Sequence, residues 1–324
     1  MSSMSNVSNV PGTPDPASGA VRIVVVMLTL DQREMTLACL ERLLASPQPS
    51  FRVLLWDNGS VDGTAAAVRE RHPEVLVHRH PANLGVAPGR NAAAELARAE
   101  LDPTHLLFLD NDMEVDPAFV AELYAPFTDD EAVGQTQAKL RFMKDRERLN
   151  DGGGCRIRYW LGETLPVGFG EIDRGQYDTL RPCVAGGGAM MVRADLFFRL
   201  GGFDTVYGYL GPEDIDFSLR LAHAGYRVLF APRALAYHGV AHTLRGDYGE
   251  GYARLKAQNW FRFMRRHATP PQRLGFYLVG IPLLGARLVV REARRGNLGA
   301  VRGLLMGGLD YLRSRGGASS RTRE

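Results

Sequence analysis

The sequence predicts an α/β protein: a central, mostly parallel sheet flanked by helices, with a helical appendage at the C-terminal end. Two observations predict it. From Val21 onward, short apolar runs rich in β-branched residues alternate with helix-length segments, the pattern of successive βαβ units. Each apolar run then ends in polar residues, at the carboxyl ends of strands where ligands of open α/β sheets bind. A chain of 324 residues that is 45% hydrophobic can bury one large core. A single enzyme-sized domain of about 250 residues plus an appendage is therefore expected.

The elements follow in order. Residues 1–20 are rich in Ser, Asn, Pro and Gly, lack the apolar run of a signal peptide, and read as a disordered leader. Strands are expected at 22–29, 51–56, 74–79 and 105–109, with helices near 34–45, 64–71, 89–99 and 117–127. Regularity weakens over 143–180, a Gly-rich span with Tyr159, Trp160 and Phe169 that reads as mobile or shaped around a substrate. Pattern returns as a strand at 188–192, a helix at 214–224 and a strand at 227–230. From about Tyr248 the chain reads as helices with basic faces, so the organisation is a leader (1–20), a catalytic domain (21–245) and a basic helical region (246–324).

Net charge is only +3, but residues 251–324 hold fifteen Lys and Arg against three Asp and Glu, while the first 250 carry 24 basic and 33 acidic groups. A basic tail on an acidic body suggests a polyanionic partner, membrane phospholipid or nucleic acid. Cys39, Cys155 and Cys183 are too few and too scattered for a disulfide framework or zinc cluster, which favours a reducing compartment and a cytoplasmic location.

Five clusters bear on chemistry. Trp56-Asp57-Asn58-Gly59-Ser60 is an acidic, glycine-rich turn between strand and helix; its carboxylate can accept from a base N–H, and the same residues also make ordinary Asx-turns and caps. Asn83-Leu84-Gly85 precedes Gly89-Arg90-Asn91 at a helix start, where backbone N–H groups and a guanidinium could face a diphosphate. Arg90 there opposes the helix dipole, which favours a bound anion. Leu106–Leu109 is an apolar strand that delivers Asp110, Asn111 and Asp112 at its end; paired carboxylates suit Mg²⁺, which shares substrate phosphates. Pro212-Glu213-Asp214 opens an amphipathic helix at which a general base could meet an acceptor hydroxyl, although acidic residues stabilise a helix start whatever their function. His238 follows an apolar strand and reads as a hydrogen-bonded core residue or a metal ligand, with His242 a nearby competitor.

Taken in this order, these segments resemble glycosyltransferase family 2, inverting enzymes with the Rossmann-like GT-A fold. The resemblance runs from about Val21 to His238, includes Gly186-Gly187-Gly188 and Gly201-Gly202-Phe203-Asp204, and is to rhamnosyltransferase-like members in particular. It implies a metal-dependent transferase that moves one sugar from a dTDP-, UDP- or GDP-linked donor to a hydroxyl on a glycan or glycolipid. By the resemblance, Thr29 and Asp57 look like donor-base and ribose contacts, and Asn83 and Arg90 like further nucleotide contacts. Asp110, Asn111 and Asp112 look like the motif for Mg²⁺ or Mn²⁺ and the diphosphate, Asp214 like the catalytic base, and His238 like a ligand of the same metal.

Gly187 and Gly188 would let backbone approach the sugar, Trp160 could stack on it, and Glu213 lies beside the base. The segment Leu28-Thr29-Leu30-Asp31-Gln32 lacks the aromatic residue that many members place there. Gln258-Asn259-Trp260-Phe261-Arg262 only loosely matches the helix of processive polymerases, which points to single-sugar transfer.

A catalytically silent nucleotide-sugar-binding protein on the same fold is the alternative, opposed by the complete set Asp110, Asp112 and Asp214. A nucleotidyltransferase is a lesser one. No recognised nucleic-acid module accompanies the basic tail, so nucleic acid is not the expected partner. Residues 276–286 are apolar but interrupted by Gly280, Pro282 and Arg287, short of the ~20 residues needed to span a bilayer, so a normal transmembrane helix is not expected. With Arg287, Arg291, Arg294, Arg295 and Arg302 nearby, the segment is expected to lie on an anionic membrane surface or to pack on the catalytic domain with a solvated basic face.

Overall fold

The computed structural model describes residues 21–46, 49–209, 211–239 and 249–317, so the reading of 1–20 and the competing His242 lie outside the described residues. The first half is the expected alternation: β1 (Ile23–Thr29), α1 (Arg33–Leu44), β2 (Phe51–Asp57), α2 (Thr64–Arg71), β3 (Leu76–Arg79), α3 (Val86–Leu101) and β4 (His105–Asp110). β1 and β4 are near-continuous apolar runs because both of their faces are covered. After them come β5 (Met113–Val115), α4 (Phe119–Asp129), β6 (Val133–Phe142), β7 (Leu149–Asp151), β8 (Cys155–Arg158), β9 (Glu163–Pro166), β10 (Arg181–Pro182), β11 (Ala189–Arg193), α5 (Ala194–Arg199), α6 (Glu213–His223) and β12 (Arg227–His238).

The main sheet runs β10-β12-β6-β11-β4-β1-β2-β3, with β5 pairing on β12 and β7 on β6. Strands β4, β1, β2 and β3 are parallel, β11 is antiparallel to β4 and β6, and β12 is parallel to β6. One face buries Val25, Met27, Leu55 and Leu107 against Leu37, Leu40 and Leu43 of α1. The other buries Val24, Val26 and Phe108 against Ala93, Ala94 and Ala97 of α3 and Phe217 and Leu221 of α6. This mixed, mostly parallel sheet with helices on both faces is the GT-A arrangement.

Two departures from the sequence reading matter for the site. The region after α4 is more regular than its pattern suggests: β6 is ten residues long and central, yet Gln135, Thr136, Gln137 and Lys139 are all buried in it. All four have a partner in the fold: Thr136 Oγ1 donates to Leu123 O at 2.8 Å, Lys139 Nζ to Asp173 Oδ2 at 2.9 Å, Gln135 Nε2 to Met190 Sδ at 3.0 Å and Gln137 Nε2 to Ala138 O at 3.4 Å. β12 likewise continues past Phe230 to His238, because its far half pairs with β6 and β5 beyond an irregularity between Ala231 and Leu235.

The C-terminal elements are α7 (Glu250–His267), α8 (Pro270–Gly275), a π-helical segment (Phe276–Gly285), α9 (Ala286–Arg294) and α10 (Leu298–Gly317). A third core of Tyr207, Ile215, Phe263, Met264 and Phe276 joins these helices to α6. The expected interruption at Gly280 and Pro282 does not occur. Pro270–Arg294 is one 25-residue helix, long and apolar enough by length and composition to cross a membrane. Pro282 is accommodated where the winding is π-helical, a wider turn than the α-helix from which proline removes a bond.

Candidate active site

Three adjacent parallel strands end side by side. Thr29 closes β1, Asp57 closes β2 and Asp110 closes β4, with Thr29 in register with Asp57 and Leu28 with Asp110. Thr29 and Asp57 are buried. Asp57 Oδ1 accepts from Ser60 N at 2.7 Å, and its Oδ2 is buried with no hydrogen-bond donor among the described residues. Asn111 is turned inward: its Nδ2 lies 3.1 Å from Thr29 Oγ1, 2.8 Å from Gln32 Oε1 and 2.9 Å from Thr36 Oγ1. It thereby ties the end of β1 to the start of α1. Asn83 is exposed, and its Oδ1 accepts from Asn58 Nδ2 and Gly85 N, each at 2.8 Å.

Asp110, Asp112 and His238 form a cluster whose candidate ligand atoms all lie within 4.8 Å of one another. Two carboxylates and an imidazole fit a divalent cation of the Mg²⁺ or Mn²⁺ class. The β12 extension is what brings His238 here: it stands opposite Met113 of β5, and its Nε2 lies 3.4 Å from Asp112 Oδ1. His238 Nδ1 is 2.9 Å from Asn150 Oδ1, and an N–H donated there leaves the Nε2 lone pair facing Asp112. In the metal-free chain, burial alone would lower the His238 pKa, but the Asp112 hydrogen bond and charge outweigh burial and raise it.

Asp214 contacts the Gly186-Gly187-Gly188 segment. Its Oδ2 accepts from Gly187 N, and its Oδ1 accepts from Ile215 N at 2.7 Å. A Cβ at position 187 would lie 2.6 Å from Asp214 Oδ2, so the close approach requires glycine. Gly188, at φ +85°, accepts through its carbonyl from Asp110 N at 2.8 Å. Asp214, Gly187, Gly188 and Asp110 are therefore one connected chain of contacts.

Arg90 closes the arrangement beneath. It is 7% exposed and bridges Asp110 and Glu213, with Nη1 3.2 Å from Glu213 Oε1 and Nη2 2.5 Å from Asp110 Oδ1. The anions that offset its unfavourable place near the start of α3 are carboxylates of the protein itself. Burial, and then the Asp214 charge, push Glu213 up to about 7 against the pull of Arg90. Burial likewise raises Asp214 above the ordinary aspartate value, outweighing the Ile215 and Gly187 N–H groups and Arg90.

Trp160 stands apart from this cluster. It lies in the turn between β8 and β9, 54% exposed, with its ring over Gly275 of α8, where a Cβ would clash. Sequence reasoning missed Asn150, Gln32 and Thr36, which hold candidate residues in place. It also missed the bond from His267 of α7 to Asp216 of α6, 2.7 Å long, which anchors the helix bearing Asp214. Only Asn150 had a local signal, since it opens the polar, glycine-rich run Asn150-Asp151-Gly152-Gly153-Gly154.

Residues 24–197 match the profile of "Glycosyl transferase family 2", and residues 176–243 match that of the "N-terminal domain of galactosyltransferase". The chain is 26% identical over 280 residues to N-acetylglucosaminyl-diphospho-decaprenol L-rhamnosyltransferase of Mycobacterium tuberculosis, covering 79% of this chain and 90% of that one. Among solved structures, a mannosyltransferase from Pyrobaculum calidifontis in complex with GDP-Man and Mn²⁺ superposes with a TM-score of 0.54 at 20% identity, over 97% of this chain and 80% of that one. GalNAc-T7 with UDP, GalNAc and Mn²⁺ superposes with a TM-score of 0.58 at 17% identity, over 78% and 52%. These two share the fold. With its profile match spanning more than half of its length, the chain is a rhamnosyltransferase-like glycosyltransferase that belongs to glycosyl transferase family 2.

Proposed function

We propose that the protein transfers one sugar, rhamnose being the best-supported, from a nucleotide diphosphate donor to a hydroxyl of a lipid-linked glycan, with inversion at the transferred carbon. The observation that carries this reading is the connected chain from Asp214 through Gly187 and Gly188 to Asp110. It brings a candidate base and a candidate cation cluster to two successive glycines of one backbone segment, so that an acceptor hydroxyl and a leaving diphosphate can be held close together. The rhamnosyl and lipid-linked parts of the reading come from the mycobacterial relative.

In this mechanism Asp214 accepts the proton of the acceptor hydroxyl, a contribution worth roughly 10²–10⁴ in rate. Gly187 N–H holds the carboxylate, and Gly188, at a positive φ with Met113 Cε only 2.7 Å from where a Cβ would stand, lets the backbone make the turn that brings its carbonyl to Asp110 N. Asp110, Asp112 and His238 would hold Mg²⁺ or Mn²⁺, which supplies charge neutralisation to the leaving diphosphate when bound. Thr29 and Asp57, at adjacent strand ends, and Asn83, on the loop beside them, are the candidate nucleotide side of the pocket, while Arg90, held between Asp110 and Glu213, positions those carboxylates instead of the nucleotide contact expected of it.

A membrane location accompanies the reading. Leu274, Leu278 and Leu283 on the Pro270–Arg294 helix are each 59–67% exposed, and Arg273, Arg287, Arg291, Arg294 and Arg295 lie along the same helix or directly after it. An apolar helix edged by arginines suits an anionic membrane surface.

Titration calorimetry of UDP, dTDP and GDP, each with and without Mn²⁺, tests the donor half on wild-type and Asp112→Ala protein. Metal-dependent binding of one diphosphate that is lost in the variant is expected. Binding of none of the three would remove the donor site, and with it the transferase reading of this cluster.

A further inference from the structure

Asp214 also lines a cavity of about 1300 Å³ among α7, the Pro270–Arg294 helix and α10. That volume exceeds the roughly 300–1000 Å³ of sites for drug-sized ligands. Its wall is largely apolar, with Ile215, Trp260, Ile281, Leu284, Leu288 and Leu304 contributing. Leu305, Leu309 and Leu312 of α10 also line it while remaining 46–60% exposed, so the apolar wall continues to the surface.

Three cations break this wall. Lys256, Arg287 and Arg291 line the same cavity. Arg291 is paired with Glu292 at 2.6 Å, and burial, then the charge of Arg291, lower the Lys256 pKa against the pull of Glu292, which leaves Arg287 as an exposed cation with no ion-pair partner among the described residues. The acidic groups on the wall are Asp214 and Glu163, and Glu163 is 3.6 Å from Arg158. An apolar trough with a cationic patch and a candidate base on its wall is complementary to an amphiphile with three parts. One is a hydroxyl-bearing head, the second an anionic linkage, and the third a long apolar chain.

We infer that this cavity binds the lipid end of the acceptor: a single isoprenoid-type chain along the leucine wall, its diphosphate against Lys256, Arg287 and Arg291, and its sugar hydroxyl at Asp214. The inference rests on the reading of Asp214 as the base. It adds a binding site and the chemistry of its occupant, and it explains why the Pro270–Arg294 helix is apolar on the cavity side (Phe276, Ile281, Leu284) as well as on its exposed side (Leu274, Leu278).

The test uses the full chain and calorimetry with geranylgeranyl diphosphate. Inorganic pyrophosphate, geranylgeraniol and dihexanoyl phosphatidylglycerol are the comparison probes. All titrations are run in EDTA, so that no cation at Asp110, Asp112 and His238 recruits the diphosphate. The lipid diphosphate is expected to bind at least tenfold tighter than any of the three.

Gly285→Leu projects a side chain into the cavity from a position where the nearest atom to a new Cβ, Ile281 Cγ2, is 4.0 Å away. It should weaken that binding tenfold or more. Arg287→Gln, at an exposed residue with no ion-pair partner among the described residues, should weaken the diphosphate about tenfold and leave geranylgeraniol unchanged.

Pyrophosphate binding as tightly as the lipid diphosphate, the phospholipid binding as tightly, or both variants binding like wild type would each overturn the assignment. Asp214→Asn separates this inference from the reading beneath it. Retained lipid diphosphate binding with lost transfer is expected, whereas retained transfer would remove the base assignment while the cavity result stood on its own.

Discussion

Asn150 Oδ1 lies 2.9 Å from His238 Nδ1, across the β7–β6–β12 side of the sheet, and it orients an imidazole whose other nitrogen faces Asp112 at 3.4 Å. A partner of this kind selects the tautomer and the ring rotation of a ligating histidine, and its loss commonly costs 10–100-fold in metal affinity. Asn150→Ala is therefore expected to raise the Kd for Mn²⁺ by that factor in calorimetry, with Asn150→Asp closer to wild type. An unchanged Mn²⁺ affinity in Asn150→Ala would overturn the orienting role assigned to Asn150.

Gly187→Ala is expected to act on turnover. The new Cβ would stand 2.6 Å from Asp214 Oδ2, so the carboxylate must move. A displacement on the order of 1 Å can cost about 10² in rate. Steady-state kinetics should show kcat falling by about that factor with the donor KM little changed, since Gly187 does not touch Thr29 or Asp57.

The Glu213–Asp214 pair makes the rate depend on pH. Burial raises both carboxyls, Glu213 to about 7. A base must be ionised, so kcat should rise with pH along a limb placed above the ordinary aspartate value of 3.8. Stability follows the opposite sign. Between the ordinary Glu value of 4.5 and about 7, the native state holds more protons than the unfolded chain, so the pair's contribution to stability falls as pH rises through that window. Urea melts of wild type and Glu213→Gln at pH 5 and pH 8 check this, the variant losing part of the difference.

Asp216 is the reverse case. Burial alone would raise it, but hydrogen bonds from His267 and Arg220 outweigh burial and hold it below the usual carboxylate range. Its stabilisation is present above the unfolded aspartate value and is lost as pH falls through the lower folded value. Asp216→Ala leaves Arg220 and His267 without that carboxylate and should destabilise the fold by about 3–5 kcal/mol, read by calorimetric unfolding. Because Asp216 joins α6 to α7, the variant should also lose lipid diphosphate binding more steeply than nucleotide binding.

What the sequence by itself determined is the parallel half of the sheet and the residues at its strand ends. β1, β2 and β4 are buried on both faces, so hydrophobicity alone marks them, and the polar residues that end them are legible as Thr29, Asp57 and Asp110. The tertiary structure alone decided the rest. β6 escapes a hydrophobic pattern because its interior carries Gln135, Gln137 and Lys139, and Lys139 is neutralised by Asp173, 34 residues away. Arg90 reads as a helix-start cation, yet its partner Glu213 is 123 residues distant. His238 meets Asn150 only because β12 outruns its apolar run by pairing with β5 and β6. Periodicity records which face of an element is covered; it cannot record which distant charge or amide will be brought to that face, and the candidate site is built from such pairs.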